Sequence, residues 1–175
     1  QLAALVADSR QQKKADEQSL DRHPKLIFVQ GAAGTGKTVL LSHLFYIIAT
    51  EIGIQGDTYS EDEDYPELPQ TANGRLSSYI LVNHKEQVHV YNQIATKLGL
   101  QKKSDEVVML PSRFINRFSL RNEHGRGIPD QPQGLADIVL IDEAHLLMTQ
   151  GNQGYSGKNQ LYDILRRARV VIAVF

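Results

Sequence analysis

The sequence predicts an α/β fold of three layers, with a mostly parallel sheet between helices. Three observations carry that expectation. Five short apolar runs are continuous rather than alternating, as strands covered on both faces are. Segments of helical period separate those runs, the pattern of a doubly wound sheet. Of the 175 residues, 41% are hydrophobic and 22% charged, which suits one core-bearing domain or most of one.

The strand candidates are LIFV at 26–29, YILV at 79–82, EVVML at 106–110, DIVLI at 137–141 and VVIAVF at 170–175. Residues 38–53 are apolar almost all round, as suits a helix wedged between sheet and neighbours. Over 85–98, Val88, Tyr91, Ile94, Ala95 and Leu98 form one stripe, and Gly99 is a C′ stop. Pro111 and Ser112 open a shorter helix carrying Phe114, Ile115 and Phe118. Over 158–168, Leu161, Ile164, Leu165 and Ala168 repeat at i, i+3, i+4, i+7. Residues 55–76, 121–136 and 149–159 are acidic or rich in Gly, Pro, Gln and Asn, and read as surface loops. Residues 1–24 are polar and read as a separate N-terminal helical segment, with Leu2, Leu5 and Val6 its apolar part.

Composition excludes several classes. There is no Cys, so disulfide scaffolds, Cys-ligated zinc, iron–sulfur clusters and thiol catalysis fall away. That fits a reducing, cytoplasmic setting. No apolar run reaches the roughly 18 residues of a membrane span, and no signal-peptide order opens the chain, so no membrane partner is expected. With 19 basic and 20 acidic side chains, net charge does not announce a nucleic-acid partner, nor does it forbid a local basic surface. The chain opens on Gln and closes inside a hydrophobic run, and reads as a piece cut at both ends.

The first strand runs into GAAGTGKT, Gly31 to Thr38, and then into the apolar helix. Strand, Gly-rich turn and helix are the setting that a phosphate-binding P-loop requires. Gly31, Gly34 and Gly36 permit backbone angles closed to other residues and bring N–H groups against phosphate oxygens. The helix amino end adds its dipole. Lys37 can reach the β- and γ-phosphates of a bound nucleotide, and the Thr38 hydroxyl can ligate Mg²⁺. Ala32, Ala33, Thr35 and Val39 complete the expected nucleotide-contacting run.

DIVLIDEAH places Asp142 and Glu143 just past a strand. Ligands of open α/β sheets bind beyond the carboxyl ends of strands, so both acids belong on the side of the Gly-rich turn. Asp142 can hold the Mg²⁺ water shell, and Glu143 can polarise an attacking water. The bland alternative is an ordinary helix N-cap, a position acids also suit.

These segments carry a family resemblance. GAAGTGKT matches helicase motif I, YILVNH at 79–84 resembles motif Ia, and IDEAH at 141–145 resembles motif II, the DEAH box. More closely, the chain resembles the Schlafen group 3-like DNA/RNA helicase domain. That family pairs VQGAAGTGKTVLL-type and DEAHLL-type segments with an NQL…ILRRARVVIAVF-type run. The similarity covers roughly residues 26–175, strongly at the two Walker segments and weakly elsewhere.

The resemblance implies the N-terminal, RecA-like P-loop ATPase lobe of a superfamily 1-like helicase, of the type with an additional catalytic glutamate, over residues 25–175. It implies ATP and Mg²⁺ as cofactors, and DNA or RNA as partner of the full-length protein. Lys37 and Thr38 would be the phosphate and magnesium residues, Asp142 the metal residue, Glu143 the catalytic base, and His145 a coupling residue. The VVIAVF strand would insert beside 26–29, and a further strand would cover the other side of 26–29. Two departures stand out. The adenine-reading Gln has three candidates, Gln11, Gln12 and Gln18. The next motif, an Asp and Gln after VVIAVF, is absent, as is the second lobe with its arginine finger, so this stretch alone is expected to turn ATP over weakly.

Other constellations weigh less. His84 and His89 lack a metal-binding spacing, and no HExxH occurs. Glu61–Asp64 reads as a solvated loop. Lys102, Lys103, Arg113, Arg117, Arg121, Arg126, Arg166, Arg167 and Arg169 form either a solvated face or part of a nucleic-acid track. In the second case Phe114 or Tyr155 would stack on bases; in the first, Phe114 and Phe118 are core. GxSxG is absent, and so is the guanine-reading NKxD of signalling GTPases. Two functional alternatives stay open beside the motor: a nucleoside or other small-molecule kinase, and a regulatory nucleotide-binding module.

Overall fold

The computed structural model describes residues 24–32, 34–48, 50, 76–97, 106–151 and 155–175. Nearly all of the expected N-terminal helical segment and of loop 55–76 lies outside them, as do Ala33, Leu98, Gly99, Lys102, Lys103 and the three Gln candidates. The chain runs β1 (Lys25–Val29), α1 (Lys37–Ile47), β2 (Ser78–Leu81), α2 (Lys85–Lys97), β3 (Val108–Met109), α3 (Pro111–Arg117), β4 (Ser119–Arg121) and β5 (Gly127–Pro132). It continues through β6 (Ala136–Ile141), a 3₁₀ turn (Ala144–Leu146), α4 (Gln160–Leu165) and β7 (Ala168–Val174).

The main sheet has five strands in the order β1-β7-β6-β2-β3, every pair parallel. The α/β expectation holds, and the layout fits a RecA-like arrangement. β7 lies between β1 and β6, pairing Leu26 with Val171 on one side and Ile138 with Val170 on the other. Its central position explains its uniform apolarity, because both faces are covered. Val170, Ile172 and Val174 join the core of Leu41, Phe45, Tyr91 and Ala95 from α1 and α2. Val171 joins Phe114, Ile115 and Ile164 from α3 and α4 on the opposite face. The period of two within one strand thus divides the molecule into helix, sheet and helix layers. Among the described residues β1 is the sheet edge. Its Phe28 stays exposed, edge-on to Phe175 at 5.5 Å.

Two segments read as surface loops carry more order than expected. Within 121–136 the chain forms most of an antiparallel β4–β5 hairpin. Asn122 Oδ1 accepts the backbone N–H groups of His124 and Arg126, and Gly125 supplies the left-handed residue of the turn (φ 72°). Short strands interrupted by Gly and Pro show no alternation, so the turn residues masked the hairpin. Within 149–159, Tyr155 is buried and donates a hydrogen bond to Asp163.

The hairpin is tied to the domain by Arg167, which is fully buried. Its guanidinium donates to the carbonyls of Phe118, Asp163 and Pro129 and to Ser119 Oγ, at 2.6–3.0 Å. Burial lowers its pKa, while Asp163 opposes that shift. Arg167→Met is expected to destabilise the domain by about 3 kcal/mol or more, because buried acceptors lose their donor. Urea unfolding at neutral pH measures it; a loss under about 1 kcal/mol would contradict this account. No helix among the described residues is long and apolar enough to cross a membrane.

Candidate functional site

After β1 the chain turns sharply through Gly31–Gly36 into α1. Gly34 and Gly36 hold φ of 77° and 81°, in the left-handed region that favours glycine. The turn is clamped at its start, where Gly31 N donates to the Phe175 carbonyl at 3.2 Å and Phe175 N donates to Val29 O at 3.0 Å. Lys37 folds back over it, its Nζ donating to the carbonyls of Gly31 and Ala32 at 2.8 Å each. The amino end of α1 carries no side-chain cap and no acidic residue in its first turn. Its free N–H groups and positive dipole end are therefore available to an anion.

β6 delivers the acids to the same end of the sheet. Asp142 is buried, and its Oδ2 accepts from Thr38 Oγ1 at 3.2 Å and from the Tyr91 hydroxyl at 3.0 Å. Its Oδ1 accepts from Glu143 N at 3.0 Å. Glu143 has φ 49°, the only positive value outside glycine among the described residues. Neither acid caps a regular helix: only the three-residue 3₁₀ turn follows, without a side-chain cap.

Asn83 donates from Nδ2 to the carbonyls of Asp142 and Glu143, at 3.3 and 3.2 Å. Gln87 Nε2 donates to Glu143 Oε2 at 3.5 Å, and His84 Nε2 stands 3.9 Å from the same oxygen. Asn83, Gln87 and Tyr91 are spaced by four, so they share one side of the segment that leads into and forms α2. Burial and then the Asp142 charge push the Tyr91 hydroxyl well above the ordinary tyrosine range. Burial and Asp163 do the same to Tyr155.

These shifts fix a sign. A raised folded-state pKa means that the neutral phenol is favoured in the native state. The stability is therefore complete below the unfolded tyrosine value near 10 and declines above it. Denaturant midpoints are expected to fall above about pH 10, and less steeply in Tyr91→Phe. An equal slope in that variant would contradict the assignment.

One end of the sheet thus combines a cationic Lys37, an uncapped helix amino end, a hydroxyl touching a carboxylate, and a second carboxylate beside them. That set suits a phosphate-bearing anion with a hard cation. Residues 24–175 match the family model described as Schlafen group 3, DNA/RNA helicase domain. The chain belongs to that family. The chain is also 31% identical, over 156 residues, to the uncharacterized protein YPL245W of Saccharomyces cerevisiae. The match covers 88% of this chain and 29% of that relative, so the chain spans less than a third of the relative's length.

Thr35 hydrogen-bonds the Ala32 carbonyl at 2.8 Å, and Val39 is exposed on α1. His145 is exposed on the 3₁₀ turn. The track reading of the basic residues is corrected at three positions. Arg167 is buried under the hairpin, and Phe114 and Tyr155 are core residues that cannot stack on bases. Arg113 pairs with Glu106 at 2.9 Å, and Arg169 with Asp137 at 3.4 Å. Among the described residues, no three His, Asp or Glu side chains form a metal-holding group. Sequence reasoning missed Asn83 and Gln87 and gave Tyr91 only a core role. Their spacing of four after a strand was visible, but nothing local says what that side of a helix meets.

Proposed function

We propose that this lobe binds ATP with Mg²⁺ and hydrolyses it to drive a DNA/RNA helicase or translocase. Family membership supports helicase-related work on nucleic acid. The nucleotide reading rests on one observation: the Thr38 hydroxyl meets the Asp142 carboxylate at 3.2 Å, across 104 residues of sequence. That contact joins the turn suited to phosphates to the acids suited to a cation.

On this reading Lys37 exchanges the Gly31 and Ala32 carbonyls for β- and γ-phosphate oxygens. The N–H groups of the turn and of the α1 amino end hold the phosphate chain. Thr38 and Asp142 would offer two hard oxygen donors to Mg²⁺, a fitting number, since that ion keeps several waters and takes few protein ligands. Bound Mg²⁺ neutralises phosphate charge. Glu143 takes a proton from the water that attacks the γ-phosphorus, and the bond from that phosphorus to the β–γ bridging oxygen breaks, so that ADP and phosphate leave. RecA-like architecture with a catalytic glutamate is the P-loop class that these roles describe.

ATP turnover by the full-length protein, with and without single-stranded DNA or RNA, tests the reading. Nucleic acid is expected to raise turnover. A phosphorylated nucleoside product would replace the motor with a kinase. ATP binding without turnover under either condition would leave a regulatory module.

A further inference from the structure

We propose that Gln87 is a positioning residue for Glu143, aiming its carboxylate from the first turn of α2. This rests on the proposed hydrolysis, in which Glu143 is the base. Glu143 is held at two levels. Asn83 fixes the backbone, bonding the two carbonyls that flank its left-handed conformation. Gln87 reaches the carboxylate itself, Nε2 to Oε2.

The orientation of the Gln87 amide follows from charge. With the amide reversed, its carbonyl oxygen would face an anionic oxygen, two acceptors in repulsion. As placed, Nε2 donates and Oε1 is turned away. That Oε1 is buried and has no hydrogen-bond partner, the only such side-chain atom among the described residues. An orphaned buried acceptor costs stability and calls for an explanation. Folding gains nothing from it that an apolar side chain of the same length would not supply. Holding the carboxylate does explain it: among the described residues the Gln87 amide is the donor within hydrogen-bond distance of Glu143 Oε2, with His84 Nε2 farther off at 3.9 Å. A base must stand within hydrogen-bond reach of its water, and a small misplacement is costly in rate. The outer side of α2 is open to solvent at His89, Val90, Gln93 and Lys97. A displacement of this helix would therefore reach Glu143 through Gln87.

The test uses full-length protein, ATP with Mg²⁺, and a non-hydrolysable ATP analogue for binding. Gln87→Met removes donor and orphan together. It is expected to lower kcat on the order of 10- to 100-fold, to leave analogue affinity within about twofold, and to keep or raise the melting temperature. Gln87→Glu keeps the shape but sets a like charge against the base, and is expected to lower kcat further than the Met variant. A residue that only fills space would leave kcat near the wild-type value in Gln87→Met. Wild-type kcat in Gln87→Met, or Gln87→Glu more active than Gln87→Met, would overturn the assignment. Wild-type protein that fails to bind the analogue would instead overturn the nucleotide reading beneath it.

Discussion

Lys37→Ala is expected to weaken ATP binding at least about 100-fold. The lysine would make two charge-assisted hydrogen bonds to phosphate oxygens, each worth about 1.5–3 kcal/mol. Alanine at 37 removes both, with a point charge at the mouth of a helix whose N–H groups cannot replace it. The fold should survive the change. Among the described residues Lys37 bonds the carbonyls of Gly31 and Ala32, at a turn open enough for water to take over. Calorimetry with Mg-ATP, beside an unfolding curve, separates the two quantities. Unchanged affinity in a folded Lys37→Ala protein would reject the site.

Glu143→Gln is expected to trap ATP, with turnover reduced by about 10²–10⁴ and affinity nearly intact. Glutamine keeps the length of the side chain but cannot accept the proton of the attacking water. The backbone argues for the same separation. Glu143 owes its left-handed conformation to main-chain bonds from Asn83, which do not involve the carboxylate. The substitution should therefore leave the Asp142–Thr38 contact in place. Single-turnover hydrolysis and analogue binding on the full-length protein measure both halves. Normal turnover in that variant would remove Glu143 from the role of base.

The sheet was legible because burial on both faces leaves a mark in sequence. VVIAVF and DIVLI have no polar alternation, and both became central strands. The β4–β5 hairpin was not legible, because it is built from a turn-rich stretch whose pairing depends on Asn122, Gly125 and a buried arginine far along the chain. The site divides in the same way. Gly31, Gly34 and Gly36 announce themselves through backbone freedom, and Lys37, Thr38, Asp142 and Glu143 through chemistry at fixed places after strands. Asn83 and Gln87 are ordinary surface residue types until β2 is laid beside β6. Only then does the start of α2 fall against the acids. Phe114 and Tyr155 show the converse limit, since an aromatic beside arginines reads alike as a base-stacking platform or as core.

The spacing of Asn83, Gln87 and Tyr91 also constrains how this stretch can change in length. A helix turns about 100° per residue. One residue inserted between Asn83 and Gln87 would keep Asn83 on the carbonyls and swing Gln87 and Tyr91 away from both carboxylates. One inserted between Gln87 and Tyr91 would spare Glu143 and strip Asp142 of its phenol. Point substitutions there remove one contact each, whereas a shift in phase removes contacts in groups. The first two turns of α2 thus behave as a ruler laid against the acids, in which a change of count costs more than a change of letter.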